Sequence, residues 1–203
     1  MEQTINRWRY GWYTYYEWRR QATFIERLLL SLTFSFFTGV SAQIFIRLPF
    51  TPVPVTGQVF MVLLSGALLG KNWAAVSQIM YLTGGIAGIP WFAAGHSGMV
   101  LLPSYGYIVG FIPASFFIGW IFDRGICNQS ISRRIFAMLA GVAIIYFSGA
   151  MWFSFFMGTG LKATFFMAVA PFIPVDIIKA YIAAYLTAFC FPQVFCNGKT
   201  FKN

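Results

Sequence analysis

The sequence predicts an all-α polytopic membrane protein, and three observations carry that expectation. Apolar residues fill 59% of the 203 positions and charged residues only 9%, where a soluble domain carries roughly 45–50% and about 25%. The apolar residues gather into long runs, several of them long enough at about 1.5 Å per residue to cross a hydrocarbon core of about 30 Å. Most of the charges fall between those runs. We therefore expect a six-transmembrane-helix bundle over residues 28–192 with a glycine-rich outward-facing loop after the third helix. An aromatic and basic arm (1–27) would precede it, and a cytoplasmic tail (193–203) would follow it.

The arm contains Arg7, Arg9, Arg19, Arg20 and Arg27 among Trp8, Tyr10, Trp12, Tyr13, Tyr15, Tyr16 and Trp18. Such rings favour the headgroup layer, so the arm is expected to lie along the membrane surface. The first helix, 28–46, has no charge. It exceeds a signal-peptide core in length and no small-x-small cleavage site follows, so it is expected to be retained. Arg47, Pro49, Pro52 and Pro54 end it. The second helix is expected over 55–70 and the third over 73–84, with Lys71 and Asn72 as a polar turn between them. Gly84, Gly85, Gly88, Pro90, Gly95, Gly98 and Pro103 then interrupt apolar sequence, a pattern tolerated at membrane depth where irregular backbone lines a cavity. Helices over 105–122, 135–157 and 173–191 complete the bundle.

The formal charge of +9 is spread between apolar runs and forms no nucleic-acid-binding patch. Topology accounts for it. With a cytoplasmic N-terminus, Arg7, Arg9, Arg19, Arg20, Arg27, Lys71, Arg124, Arg133, Arg134, Lys199 and Lys202 fall inside, and only Arg47 and Lys162 fall outside. That positive-inside bias predicts a multi-pass protein of the cytoplasmic membrane with both termini cytoplasmic.

Little here supports catalysis. Of the five acidic residues, Glu2, Glu17, Glu26 and Asp123 fall in the cytoplasmic segments, and His96 is the single histidine. A metal site or a Ser-His-Asp triad is therefore poorly supported. Cys127, Cys190 and Cys196 have no metal-binding spacing and read as reduced thiols. SGALLGKN at 65–72 resembles a nucleotide-binding loop only superficially: Ser65 replaces its first glycine, Asn72 its final Ser/Thr, and no strand is expected before it. No ATP-driven motor is expected in the chain.

Asp176 and Lys179 stand apart, because they lie inside an apolar helix. Their i, i+3 spacing puts them on one face, Pro174 suits the first turn, and ionisable groups in such surroundings usually mark a ligand or ion path. Small residues at helical spacing, Ser31, Ser35 and Gly39, would let the first helix approach another closely. That helix could belong to the bundle or to a partner, and we expect partner docking there.

Four stretches together resemble the BioY family, the biotin-specific S-components of energy-coupling factor (ECF) importers. They are PFTPVPVTGQVFMVLLSGALLG at 49–70, YLTGGIAGIPWFA at 81–93, PSYGYIVGF at 103–111 and PFIPVDIIK at 171–179. The resemblance implies six helices, an outward pocket for biotin, and partnership with a transmembrane coupling protein and two cytoplasmic ATPases. The chain itself would need no cofactor. The resemblance also places Asp176 and Lys179 at the pocket, and Trp91, Gly95, His96, Ser97 and Tyr107 are the further candidate contacts. Three positions depart from the family pattern: His96 where relatives often carry Asn, Gly57 where they usually carry Leu, and Tyr105 in place of a glycine. The rival readings are a self-sufficient biotin facilitator and a membrane-embedded lipid-modifying enzyme.

Overall fold

A computed structural model describes residues 15, 18, 19, 21–98, 102–124 and 130–190. Most of the arm and the whole tail lie outside the described residues. Helix α1, Phe24–Ala42, starts four residues before the expected boundary because Thr23 and Glu26 form a capping box. The Glu26 carboxylate accepts the Thr23 backbone N–H at 2.7 Å, and Thr23 Oγ1 accepts that of Glu26 at 3.4 Å, so two otherwise orphaned donors are satisfied. The helix also ends earlier than expected. Phe45–Ile46 (β1) pairs antiparallel with Val55–Thr56 (β2), Phe45 opposite Thr56 and Ile46 opposite Val55. The prolines at 49, 52 and 54, which cannot donate backbone hydrogen bonds, occupy the loop of this hairpin.

Helix α2, Gln58–Leu69, therefore begins after the strand, and not at Val55. It is joined to α3, Lys71–Ile86, through Gly70 at φ +79°, a conformation that glycine adopts without steric cost. A Cβ there would stand 2.7 Å from Asp123 Oδ1. The expected polar turn at Lys71 and Asn72 is instead the first turn of α3, because Asp123 Oδ2 accepts the Lys71 backbone N–H at 3.0 Å and caps that helix. After α3 the chain runs irregularly to α4, with a short 3-10 turn at Ala93–Gly95. Gly88, Gly95, Gly98 and also Ala94 have positive φ here.

Helix α4, Tyr105–Asp123, contains Pro113. Helix α5, Ile131–Met157, begins at the Ser130 cap, four residues before the expected start, and carries Arg133 and Arg134 into its first turn. Arg134 is buried and donates to the Thr187 carbonyl. An eight-residue helix, α6 (Leu161–Ala168), was not expected; its apolar composition gives no contrast with its neighbours. Helix α7, Ile173–Cys190, carries Asp176 in its first turn.

Six of these seven helices overlap the six expected segments. Four of them, α1, α4, α5 and α7, are long and apolar enough to cross a membrane. The 12-residue α2 rises only about 18 Å. It occupies the middle of the bundle, packed on α1, α3, α4 and α7. Gly66 lets α2 approach α4 closely: a Cβ there would meet Ile118 Cβ at 2.8 Å.

The core is apolar, as in a water-soluble protein, but the outer surface is apolar too. Large apolar side chains such as Leu29, Phe36, Phe147, Phe155, Ile178 and Phe189 face outward, while Ser35, Gln58, Gln78, Arg134 and Asp176 are buried. A helical membrane bundle accounts for this distribution, since polar groups must find partners inside when the solvent is lipid.

The stripe on α1 is corrected. Ser31 and Ser35 are fully buried, Ser31 Oγ donates to the Trp73 carbonyl at 3.1 Å, and a Cβ on Gly39 would lie 2.9 Å from Trp91 Cβ. These residues seat α1 on α3 and Trp91, so they offer no surface to a partner. The outward face of α1 is Leu29, Leu32, Phe36, Phe37 and Val40.

Candidate functional site

A cavity of about 520 Å³ lies between the β-hairpin, the irregular segment after α3, and helices α2, α4, α5 and α7. That is within the usual range for a small-molecule site. Val59, Ile108, Phe111, Ile145 and Phe172 supply apolar wall. Arg47 and His96, both exposed, mark the open side.

The polar part of the wall centres on Asp176, which is 4% exposed. Its position in the first turn of α7 places the carboxylate at the positive end of the helix dipole. Tyr146 donates to Oδ2 at 2.9 Å and Lys179 Nζ to Oδ1 at 2.7 Å. The same ammonium donates to the Thr56 carbonyl at 2.6 Å. Thr56 Oγ1 donates to Gln58 Oε1 at 2.8 Å, Gln58 Nε2 donates to the Tyr81 hydroxyl, and that hydroxyl donates to the Trp91 carbonyl at 3.2 Å. A continuous chain of hydrogen bonds thus ties the α7 charge pair through β2, α2 and α3 to the segment that roofs the cavity. Deleting one member of such a chain leaves its neighbours unsatisfied, which makes it costly to break.

The expected site residues divide clearly. Asp176, Tyr107 and His96 line the cavity, and Lys179 adjoins it through Asp176. Tyr107 also donates to the Ala168 carbonyl. Trp91, Gly95 and Ser97 do not line it. The Trp91 ring is wedged between α1 and α3, where a Cβ on Gly84 would lie 2.2 Å from it; only its carbonyl serves the network. Gly95, at φ +72°, turns the roof, its N–H donating to the Phe92 carbonyl at 3.0 Å.

Sequence reasoning missed Tyr146, Thr56, Gln58 and Arg47. Thr56 and Gln58 stand inside the TPVPVTGQ stretch, so a signal existed for them. Tyr146 had none beyond a hydroxyl in an apolar run, because its partner is 30 residues away. Two departures from the family pattern acquire reasons. A Cβ on Gly57 would meet the Ser41 carbonyl at 2.8 Å. The Tyr105 hydroxyl donates to the Gly98 carbonyl at 2.6 Å, and its ring packs edge-on to Phe92 with centroids 5.7 Å apart, tying the roof to α4. Among the described residues, no three His, Cys, Asp or Glu side chains gather as a metal-binding group.

Comparison with known proteins gives a consistent picture. Residues 15–194 match the BioY family. The chain is 38% identical over 151 residues to the probable biotin transporter BioY of Pyrococcus horikoshii, covering 73% of this chain and 86% of that protein. It is 32% identical over 149 residues to the biotin transporter BioY of Rhizobium etli, covering 70% and 79%. The crystal structure of an S-component for biotin from an ECF-type ABC transporter superposes with a TM-score of 0.73 at 27% identity, covering 80% of this chain and 89% of that one.

Proposed function

The chain belongs to the BioY family, and on that premise we propose that it binds biotin in the 520 Å³ cavity as the substrate-recognising subunit of an ECF importer. It is a transporter component and not an enzyme. The observation that carries the site assignment is Asp176, in the wall of an otherwise largely apolar cavity and paired with the adjoining Lys179.

Biotin presents two ureido N–H donors, a ureido carbonyl, an apolar ring system and a carboxylate tail. A carboxylate has about four acceptor positions. Asp176 uses one for Tyr146 and one for Lys179, which leaves capacity for a ureido N–H. An ammonium has three donors, and Lys179 uses two, on Asp176 and Thr56; the third suits the ureido carbonyl. Charge-assisted hydrogen bonds of this kind are the strong ones, and the apolar wall suits the rings. Tyr107 and His96 would complete the contacts.

The remaining parts follow from the same reading. Transport requires ATP hydrolysis by partners: a transmembrane coupling protein and two cytoplasmic ATPases. The chain lies in the cytoplasmic membrane with six crossings, made by α1 to α5 and α7, both termini cytoplasmic, and the cavity open outward. Cysteine labelling from outside intact cells should modify Ser97→Cys and spare Ser132→Cys in a background without the native cysteines; the reverse pattern inverts the orientation. The function itself is tested by equilibrium binding of labelled biotin to the purified chain with lipoate, thiamine and riboflavin as competitors. Saturable binding that these fail to displace is expected. Absence of binding, or equal displacement by all, contradicts the proposal.

A further inference from the structure

The two polar ends of biotin differ in charge, and the cavity treats them differently. Asp176 is buried and holds a carboxylate in the wall. A ligand carboxylate set beside it would bring like charges together where water screens them poorly. The charge of Lys179 is already matched there, since its ammonium donates to Asp176 Oδ1 at 2.7 Å and to the Thr56 carbonyl at 2.6 Å. The neutral ureido group suits the Asp176 end, and the carboxylate tail needs a cation elsewhere.

Arg47 supplies one. It lines the cavity on its open side and directly follows β1, in which Phe45 stands opposite Thr56. Two residues of extended backbone, roughly 7 Å, therefore separate Arg47 from the level at which Lys179 is held, a span comparable to the methylene chain of biotin. The guanidinium lies over the Phe45 ring, 5.5 Å from its centroid, a contact that steadies the side chain. No carboxylate pairs with Arg47 among the described residues, whose ion pairs are Arg19 with Asp123 and Lys179 with Asp176. Met99, Val100 and Leu101, which precede the wall residue Leu102, carry no charge. With His96 neutral, Arg47, Asp176 and the adjoining Lys179 sum to one positive charge, which a singly charged carboxylate neutralises.

We infer that Arg47 holds the ligand's carboxylate at the mouth of the cavity and makes the site selective for biotin over its neutral amide. On the biotin reading above, this fixes the direction of the ligand, with the ureido ring inward and the tail outward. Guanidinium and carboxylate are planar partners that can form two parallel hydrogen bonds. Because Arg47 is exposed, the pair contributes less than a buried one would.

Competition against radiolabelled biotin by unlabelled biotin and by biotinamide, whose carboxamide replaces the carboxylate at nearly equal size, tests this on the full purified chain. The parent should bind biotin about fivefold more tightly than the amide, between the worth of an exposed ion pair and that of a charge-assisted hydrogen bond. Arg47→Gln should weaken biotin by about that factor and leave the amide unchanged, bringing the two together, while Arg47→Lys should retain part of the preference. Unchanged amide binding also shows that the cavity of the variant is intact; if Arg47→Gln binds neither compound, Arg47→Met takes its place. Equal affinity for the two compounds in the parent, or an undiminished preference in the uncharged variant, overturns the role of Arg47 and leaves the biotin reading standing. A parent that binds neither compound overturns that reading and the role of Arg47 with it.

Discussion

The two ends of the bundle each carry an acid paired with a base, and the pairs are built for different work. Asp176 and Lys179 lie 2.7 Å apart with side chains 5% and 16% exposed, while Asp123 and Arg19 lie 3.0 Å apart at 32% and 14%. Asp123 spends both oxygens on the fold, holding Arg19 and capping α3. Asp176 takes side-chain donors only, from Tyr146 and Lys179, and borders a cavity. An ion pair reads as structural when its carboxylate also caps a helix backbone and sits partly exposed, as Asp123 does. It reads as a binding site when buried acceptor capacity points into empty, largely apolar space.

Substitutions at the two ends sharpen that contrast. The largest expected effect is Asp176→Asn, which keeps size and loses the charge-assisted acceptor; biotin binding should weaken by about 2–5 kcal/mol, measured by equilibrium titration. Lys179→Met should fall in the same range by removing a donor and stranding Asp176. An intermediate effect is expected for Tyr146→Phe, which removes one hydrogen bond to Asp176 and should cost about 1–2 kcal/mol in affinity. His96→Asn should stay within about tenfold of the parent, roughly 1.4 kcal/mol, because His96 lies at the exposed edge of the site. Asp123→Asn should leave biotin affinity unchanged and lower the thermal midpoint, since the α3 cap and the Arg19 pair are weakened. Loss of biotin affinity in Asp123→Asn with an unchanged midpoint would erase the distinction between the two ends.

Much of this arrangement was legible in the sequence, and the gaps have physical causes. The start of α4 and of α7 matched expectation because Tyr105 and Ile173 follow clear proline and glycine breaks. The ends of α1 did not, since absence of charge marks hydrocarbon depth while Thr23, Glu26 and the hairpin set where the helix begins and ends. The stripe of Ser31, Ser35 and Gly39 announced close packing, but spacing alone does not say which helix is opposite. Trp91 was expected at the ligand; its ring fills a gap between glycines on α1 and α3, a contact that only the tertiary structure reveals. Asp176 and Lys179 were visible because charge inside an apolar run is costly. Tyr146 and Arg47 were not, because neither carries a local pattern that points to the cavity.

The central claim is that Asp176 and Lys179 hold biotin as a unit, and a double-mutant cycle on biotin affinity tests it most directly. Asp176→Asn, Lys179→Met and the double variant would each be purified, checked for folding by circular dichroism, and titrated with labelled biotin. The account predicts a large loss for each single variant and a double loss smaller than the sum, because each single change leaves the other member of the pair without its partner. Three folded variants that bind biotin like the parent would contradict it and reduce the pair to a structural contact.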